Sequence, residues 1–449
     1  MNQEMIGSRT YPLPDYSDTV AVKKGANIPV YLLMFYLLVE YGRPHFLVPI
    51  KPALVLQLLL VLCLSTHTAQ VGRLFKEKYF RLYILLLLFM SIHVFIATNN
   101  YWAFICLKTM VSYLIITVSC CVFLNNIQRL NTFLFTFMVV VGACAVNRIM
   151  NTDLLGLTGS GVFTDENDFA LAMNVALPIG FFMGRTETGW KKWAIWGLCI
   201  VMVLGNITSV SRGGVIGLAA VGIVCWYFMK QKLAAMLLVI AVALLSWNFA
   251  PPHFREELGS IGIESMNKDT GKDRIELWKV GWKAFVDNPV LGVGQGNMPI
   301  VISKYQYNRA GESFWKRDLW GRALHSVYMT VLPELGLVGS LLVAFMLIEL
   351  GRTYKKIKKV ACALPPSTET DRLANLNFAF MTSFFGFLVT GVFLSVFYYP
   401  PLWNIGALIM ALHLVAVRLK QQNGGDVKTT VETWQSGLDT KPVAVGSEV

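Results

Sequence analysis

Apolar runs of near-membrane length follow one another along the chain, and they limit its fold more than any other feature. They fall at 30–42, 50–66, 80–98, 102–123, 132–147, 168–184, 192–208, 212–229, 233–249, 325–349, 374–397 and 402–417. A helix needs about 20 mostly apolar residues to cross the hydrocarbon core of a bilayer. Charged residues make up only 15% of the chain and hydrophobic residues 55%, whereas a soluble domain is about 25% charged. The expectation is an all-α polytopic membrane protein of about 12 transmembrane helices.

Basic residues orient the spans, because Lys and Arg are in excess on the cytoplasmic side. They cluster in alternate connections: Arg73, Lys76, Lys78 and Arg81; Arg129; Arg185, Lys191 and Lys192; Lys230 and Lys232; and Arg352 to Arg372. The connections between these are nearly bare. Residues 1–27 therefore read as a cytoplasmic segment, 28–249 as the first nine helices, 250–324 as a long periplasmic loop, and 325–417 as the last three helices. The polar, Gly-containing stretch 418–449 reads as a disordered cytoplasmic tail. Seven of the eight cysteines lie in apolar runs, where a thiol acts as a small hydrophobe.

The stretch "NITSVSRGGVIGL" (206–218) puts Arg212 at a tight turn on the outer face. An arginine at a bilayer centre costs about 3 kcal/mol on insertion scales. An arginine snorkelling to headgroups accounts for it simply. Gly213 and Gly214 add a second reading: they would let a ligand approach closely and would expose the first N–H groups of the next helix to an anion. In the long loop, "GKDRIELWKVGWKAFVDNP" has a helical pattern over 272–287, with Ile275, Trp278, Trp282 and Phe285 on one stripe. Arg274 shares that stripe, as either an anion ligand or part of an interfacial Trp/Arg anchor. The "GVGQGN" at 292–297 is no nucleotide site, because no strand precedes it; it reads as a tight turn.

"LHSVYMTVLPELGLVG" opens the tenth run, with His325 at its head and Glu334 inside. A histidine at a helix end is usually structural, whereas an intramembrane glutamate is a functional candidate. Pro333 is a candidate kink. "FTDENDFALAMN" places Asp165, Glu166 and Asp168 at a helix start, where acidic residues cap; a metal site there is the alternative.

Four stretches in order, "FTDENDFALAMNVALPI", "SVSRGGVIGL", "RIELWKVGWKAFVDNPVLGVGQGN" and "HSVYMTVLPELGLVG", resemble the O-antigen ligase superfamily, which also holds O-antigen polymerases and O-oligosaccharyltransferases. Two departures are Ser326, where many members have Asn, and Glu166, where many have Pro. The resemblance implies a GT-C-like bundle in the bacterial inner membrane, with its active site on the periplasmic face. It implies transfer of a glycan from an undecaprenyl-diphosphate carrier to an acceptor hydroxyl, lipid A–core in a ligase. It carries the family's arginines onto Arg212 and Arg274 and its histidine onto His325. Arg148, Asn167, Gly213, Gly214 and Glu334 are further candidates for binding substrate.

The diphosphate already activates the sugar, so no nucleotide or other cofactor is expected. Arginine, a planar and permanently charged fork, can meet the leaving-group charge where a metal otherwise would. No nucleic-acid partner is implied. A polymerase is the alternative within the superfamily. A lipid-linked glycan flippase or transporter is the rival outside it, and the chain lacks the inverted repeats many transporters show. The alternation of basic residues predicts that a reporter fused near Lys268 or Arg309 is extracytoplasmic and one near Lys356 is cytoplasmic. The opposite result at Lys268 or Arg309 would put the long loop, and any site on it, on the wrong side.

Overall fold

The computed structural model describes residues 27–150, 165–209, 211–229, 231–233, 270–307 and 318–438. Among these no strand element occurs. The helices are α1 (Ile28–Leu37), α2 (Pro52–Ser65), α3 (Thr68–Leu74), α4 (Lys78–Ile96), α5 (Asn100–Phe123), α6 (Ile127–Met150) and α7 (Glu166–Gly184). They continue with α8 (Gly189–Thr208), α9 (Arg212–Tyr227), α10 (Thr270–Asp287), α11 (Met298–Tyr305), α12 (Val327–Ala363), α13 (Thr368–Thr390) and α14 (Pro400–Leu438). A helix occupies every apolar run of the sequence except the ninth, whose residues 234–249 lie outside the described set, as do Lys268 and Arg309.

Among the described residues six helices are long and apolar enough to cross a membrane, or up to seven if α2 and α3, bent by 101°, form one broken span. Eleven of the twelve expected runs are thus helical among the described residues, and six of them, or seven with the bent pair, are long and apolar enough to span. α9, for example, has only 16 residues. The last helix runs to Leu438, past the point where the sequence suggests a disordered tail.

α7 is the hub. It packs on α13, α8, α9 and α6, and every residue from Phe169 to Gly184 is buried. Polar groups pin this hub where lipid offers no hydrogen bonds. The Asn174 amide donates to the Gly214 carbonyl at 2.9 Å and to Thr390 Oγ1 at 3.1 Å. The Asn206 amide donates to Asn174 Oδ1 at 2.9 Å and to the Ala170 carbonyl at 3.1 Å. Four helices, α7, α8, α9 and α13, are tied by these two amides. Gly217 makes room for them: a Cβ there would lie 2.4 Å from Asn174 Nδ2 and 2.1 Å from Thr390 Oγ1.

A second device fixes the loop after α10. α12 is broken at Gly336, which has φ 60° and ψ −166°. The break lies three residues beyond Pro333, the sequence's candidate kink, because Gly336 takes a positive φ at little cost. The segment 289–294 docks into the break. Leu337 N donates to the Pro289 carbonyl at 2.8 Å, Val293 N to the Pro333 carbonyl at 2.8 Å and Gly294 N to the Glu334 carbonyl at 3.0 Å. "GVGQGN" is a turn, as the sequence suggests, with positive φ at Gly292, Gly294 and Gly296. It is also a plug. The buried Gln295 amide donates to the Met90 and Ala103 carbonyls, and its oxygen meets His93 Nδ1 at 2.8 Å.

Glu334 belongs to this device. Its carboxylate accepts from Gly296 N at 2.9 Å, Met298 N at 3.1 Å and the Tyr398 hydroxyl at 2.9 Å. The sequence assigns Glu334 to substrate. In the structure its oxygens serve the loop backbone, because the break in α12 leaves that loop's N–H groups facing it.

At Gly292, where φ is 78°, a Cβ would lie 2.5 Å from the Glu334 carbonyl oxygen and the Gly336 nitrogen. Gly321, φ 79°, has open space around it. Gly292→Ala should therefore lower the thermal midpoint in detergent far more than Gly321→Ala. The latter carries only the left-handed penalty of roughly 1–2 kcal/mol. Equal melting of the two variants would show that the loop does not dock in the break.

Candidate active site

The site is assembled at the end of the bundle where α7, α9 and α12 begin. Arg212 is the first residue of α9, and the Ser211 hydroxyl caps that helix by accepting from Gly214 N at 3.0 Å. The same hydroxyl donates to Asn167 Oδ1 at 2.6 Å. Asn167 is in turn held by Asp165, whose carboxylate accepts from Asn167 N at 2.7 Å. Asp165 is thus the N-cap of α7, as its sequence position suggests. The α8–α9 turn is clamped from above by Asn167 and from below by Asn174.

Gly213 and Gly214 act differently from the sequence reading. A Cβ on Gly213 would lie 3.0 Å from Phe393 Cβ, and one on Gly214 would lie 2.4 Å from Ala170 Cβ. Both residues are buried. The close approach they permit is of side chains on neighbouring elements rather than of a ligand. Small residues at helix contacts are a recurrent solution inside membranes.

Arg274 comes from α10, which spans Thr270–Asp287 where the sequence places a helix at 272–287. Its buried face is not the expected stripe. Leu277, Val280 and Ala284 are buried, while Ile275 and Trp282 are 47% and 53% exposed. The helix is apolar on more than one side, and the small residues decide the contact: a Cβ on Gly281 would lie 2.8 Å from Leu324 Cδ1. Leu277, Val280 and Ala284 form a separate small core with Met298, Ile302, Tyr305, Leu319 and Leu324. This core fixes Arg274 relative to the segment that carries His325. The exposed stripe Ile275, Trp282 and Val286 leaves α10 an apolar outer face as well.

The arginines and the histidine converge. The Arg274 guanidinium lies 5.7 Å from the centre of the Phe393 ring, the ring that also packs on Gly213. Burial lowers the Arg274 pKa, the positive charge of Arg212 lowers it further, and Asp165 opposes both. His325 is shifted below the usual imidazole value, first by burial and then by Arg274, with Arg322 adding to the effect and Asp165 opposing it. The imidazole is therefore biased toward its neutral form, able to accept a proton.

His325 itself has a φ of 50°, in the left-handed region. A non-glycine residue held there stores strain of order 1–3 kcal/mol and persists only where its surroundings enforce it. Here the Trp278 indole N–H donates to the Leu324 carbonyl at 3.0 Å, and Ser326 caps α12 on the other side. A side chain is thus turned out of the helix direction between two anchored neighbours.

Arg148 sits at the edge of this group, 3.6 Å from Glu166 in an ion pair across the α6–α7 ends. Glu334 binds the docked loop instead. Asp165, Arg322 and Phe393 complete the site, and sequence reasoning gave them no such place. Asp165 read as a helix cap, and Phe393 lies 181 positions along the chain from Arg212 with no motif around it.

Fold and site together define a polytopic helical protein with a half-buried cationic centre at one end of its bundle. Residues 197–358 match the family model for O-antigen ligase. That segment holds Arg212, Arg274 and His325, and the match agrees with the resemblance of the sequence to the O-antigen ligase superfamily. No curated protein matches the chain.

Because a positive neighbour resists protonation of His325, removing Arg322 should raise the imidazole pKa. Arg322→Gln should therefore move the acid limb of the pH–rate profile to higher pH and leave the rate at higher pH little changed. An unmoved acid limb would mean that His325 does not titrate in the rate-limiting step.

Proposed function

We propose that the protein transfers a glycan from an undecaprenyl-diphosphate carrier to an acceptor hydroxyl at the periplasmic face of the bacterial inner membrane, with no metal. The observation that supports this reading is the meeting of Arg212 and Arg274 beside His325. Two guanidinium forks hold the diphosphate and take up the negative charge that grows on its bridging oxygen as the sugar–oxygen bond breaks. The acceptor hydroxyl attacks the anomeric carbon, and its proton passes to the neutral His325 imidazole. Asp165, near both Arg274 and His325, stabilises the imidazolium that forms. Phe393 stacks under Arg274 and limits its rotamers.

The acceptor that the resemblance to the O-antigen ligases implies is lipid A–core, which would make the reaction a ligation. A deletion strain distinguishes the outcomes. Accumulation of long carrier-linked chains is the ligase result, accumulation of single carrier-linked repeats is the polymerase result, and glycan trapped on the cytoplasmic side points to a flippase.

In vitro, Arg212→Ala and Arg274→Ala should each lower the transfer rate at least about 10²-fold, as loss of an oxyanion-type donor does. Lysine at either position should rescue poorly, since it presents a point charge rather than a fork. His325→Gln should lose about 10²- to 10⁴-fold, because glutamine cannot take the proton. Transfer by the unmodified protein should survive EDTA. Wild-type rates in both lysine variants would reduce the arginines to general attraction, and a fully active His325→Gln would remove the base.

A further inference from the structure

A second group of cations lies at the same end of the bundle and plays no part in the chemistry above. α1, α2 and α5 enclose a cavity of about 560 Å³ whose lining includes Arg43, Lys51 and Lys108, with Glu40 as its carboxyl. Glu40 is buried and lies in electrostatic range of Arg43, while Lys51 and Lys108 are exposed on the cavity wall. Lys108 is about two turns into α5, one of the helices apolar enough to span. An ionised side chain there is costly and marks a functional site by default. Lys51 stands at the N-cap of α2 with φ 47°, where the helix dipole adds positive potential.

The cavity is also amphipathic. Leu54 and Val111 on its wall are 52% and 40% exposed, so its side is apolar where its end is cationic. A free anion would need no such wall; a phosphorylated lipid uses both.

Geometry relates this cavity to the arginine site. Tyr113 on its wall donates to the Tyr398 carbonyl at 3.1 Å. The next residue, Tyr399, is raised in pKa by partial burial and then by the carboxylates of Asp168 and Asp165, while Arg43 pulls it down. The α13–α14 turn therefore stands between Arg43 and the Asp165 side of the active site. The two basic centres are adjacent and separate.

We propose that the cavity between α1, α2 and α5 holds the phosphate-bearing head of a lipid-anchored acceptor, through Lys108, Lys51 and Arg43, while Arg212 and Arg274 hold the donor. The proposal rests on the transfer reading above. It applies to a phosphorylated glycolipid acceptor and to a carrier-linked one, since each brings a phosphate at membrane depth.

The test uses the full chain in phosphatidylcholine proteoliposomes with a carrier-linked donor. The acceptor is a lipid-anchored glycan with a phosphate on its head, or the same glycan treated with phosphatase. Lys108→Met and Lys51→Asn, the latter chosen because Asn tolerates positive φ, should each raise the acceptor KM about tenfold. The donor KM and kcat should change less than about twofold, and Lys108→Arg should restore the acceptor KM. The phosphatase-treated acceptor should start with the raised KM and be insensitive to both variants.

Native mass spectrometry of the detergent-solubilised protein reads retention of the phosphorylated acceptor without turnover. Unchanged KM and retention in the variants would overturn the proposal, as would equal effects on both forms of the acceptor. Phosphatidylglycerol added to the same detergent-solubilised samples serves as the control lipid, and its equal loss in the variants would also overturn the proposal and make the cavity a general lipid anchor. A wild type that retains the phosphorylated lipid through Lys108 yet never transfers would sink the transfer reading and leave the lipid site standing.

Discussion

The two buried amides of Asn174 and Asn206 hold the rest of this structure in register. Each sits where water and lipid can offer it nothing, so each must find its partners among neighbouring helices. Between them they join α7 to α8, α9 and α13. One of these bonds ends on the Gly214 carbonyl, two residues beyond Arg212. The arginine is therefore positioned by a network whose energetic stake is high, because any member left unpaired inside an apolar bundle carries the full cost of desolvation.

The second arginine and the histidine depend on a different kind of order. α10 and the segment before α12 share a small core of their own, and that core is fastened to the bundle through a broken helix. The break at Gly336 frees backbone groups that would otherwise be satisfied within α12, and residues 289–294 take them up. Glu334 then closes the arrangement from beneath by accepting two backbone N–H groups and one phenol. Non-helical backbone at membrane depth is tolerated only where protein satisfies it. The loop–helix exchange here meets that condition and brings Arg274 within electrostatic range of Arg212.

The centre so formed is a cluster of like charge, which needs a reason to persist. Arg274 is disfavoured by burial and by Arg212, and among the described residues Asp165 and the face of Phe393 relieve it. A site that concentrates positive charge away from water is preorganised for an anion and is unfavourable without one. The same environment shifts His325 toward its neutral form. In the proposed transfer, one arrangement would serve both demands, charge uptake on the leaving group and proton uptake from the acceptor.

The sequence by itself determined the class of this protein and most of its elements. Apolar runs of sufficient length can only be helices in a membrane, so every described run folded as expected. Arg212 and Arg274 stood out because cations at a turn and on an apolar stripe are locally anomalous, whereas His325 was singled out only by the resemblance. Tertiary structure decided what no local pattern encodes. Gly213 and Gly214 proved to be packing residues, because Phe393 and Ala170 arrive from elsewhere in the chain to fill the space beside them. Glu334 proved to be a loop ligand, because α12 breaks and another segment enters the break. The buried face of α10 went to Leu277, Val280 and Ala284, since a helix apolar on several sides leaves its neighbours to choose. The physical reason is common to all three. Hydrophobic periodicity reports which residues leave water, whereas hydrogen bonds and close contacts between distant segments select which of them meet.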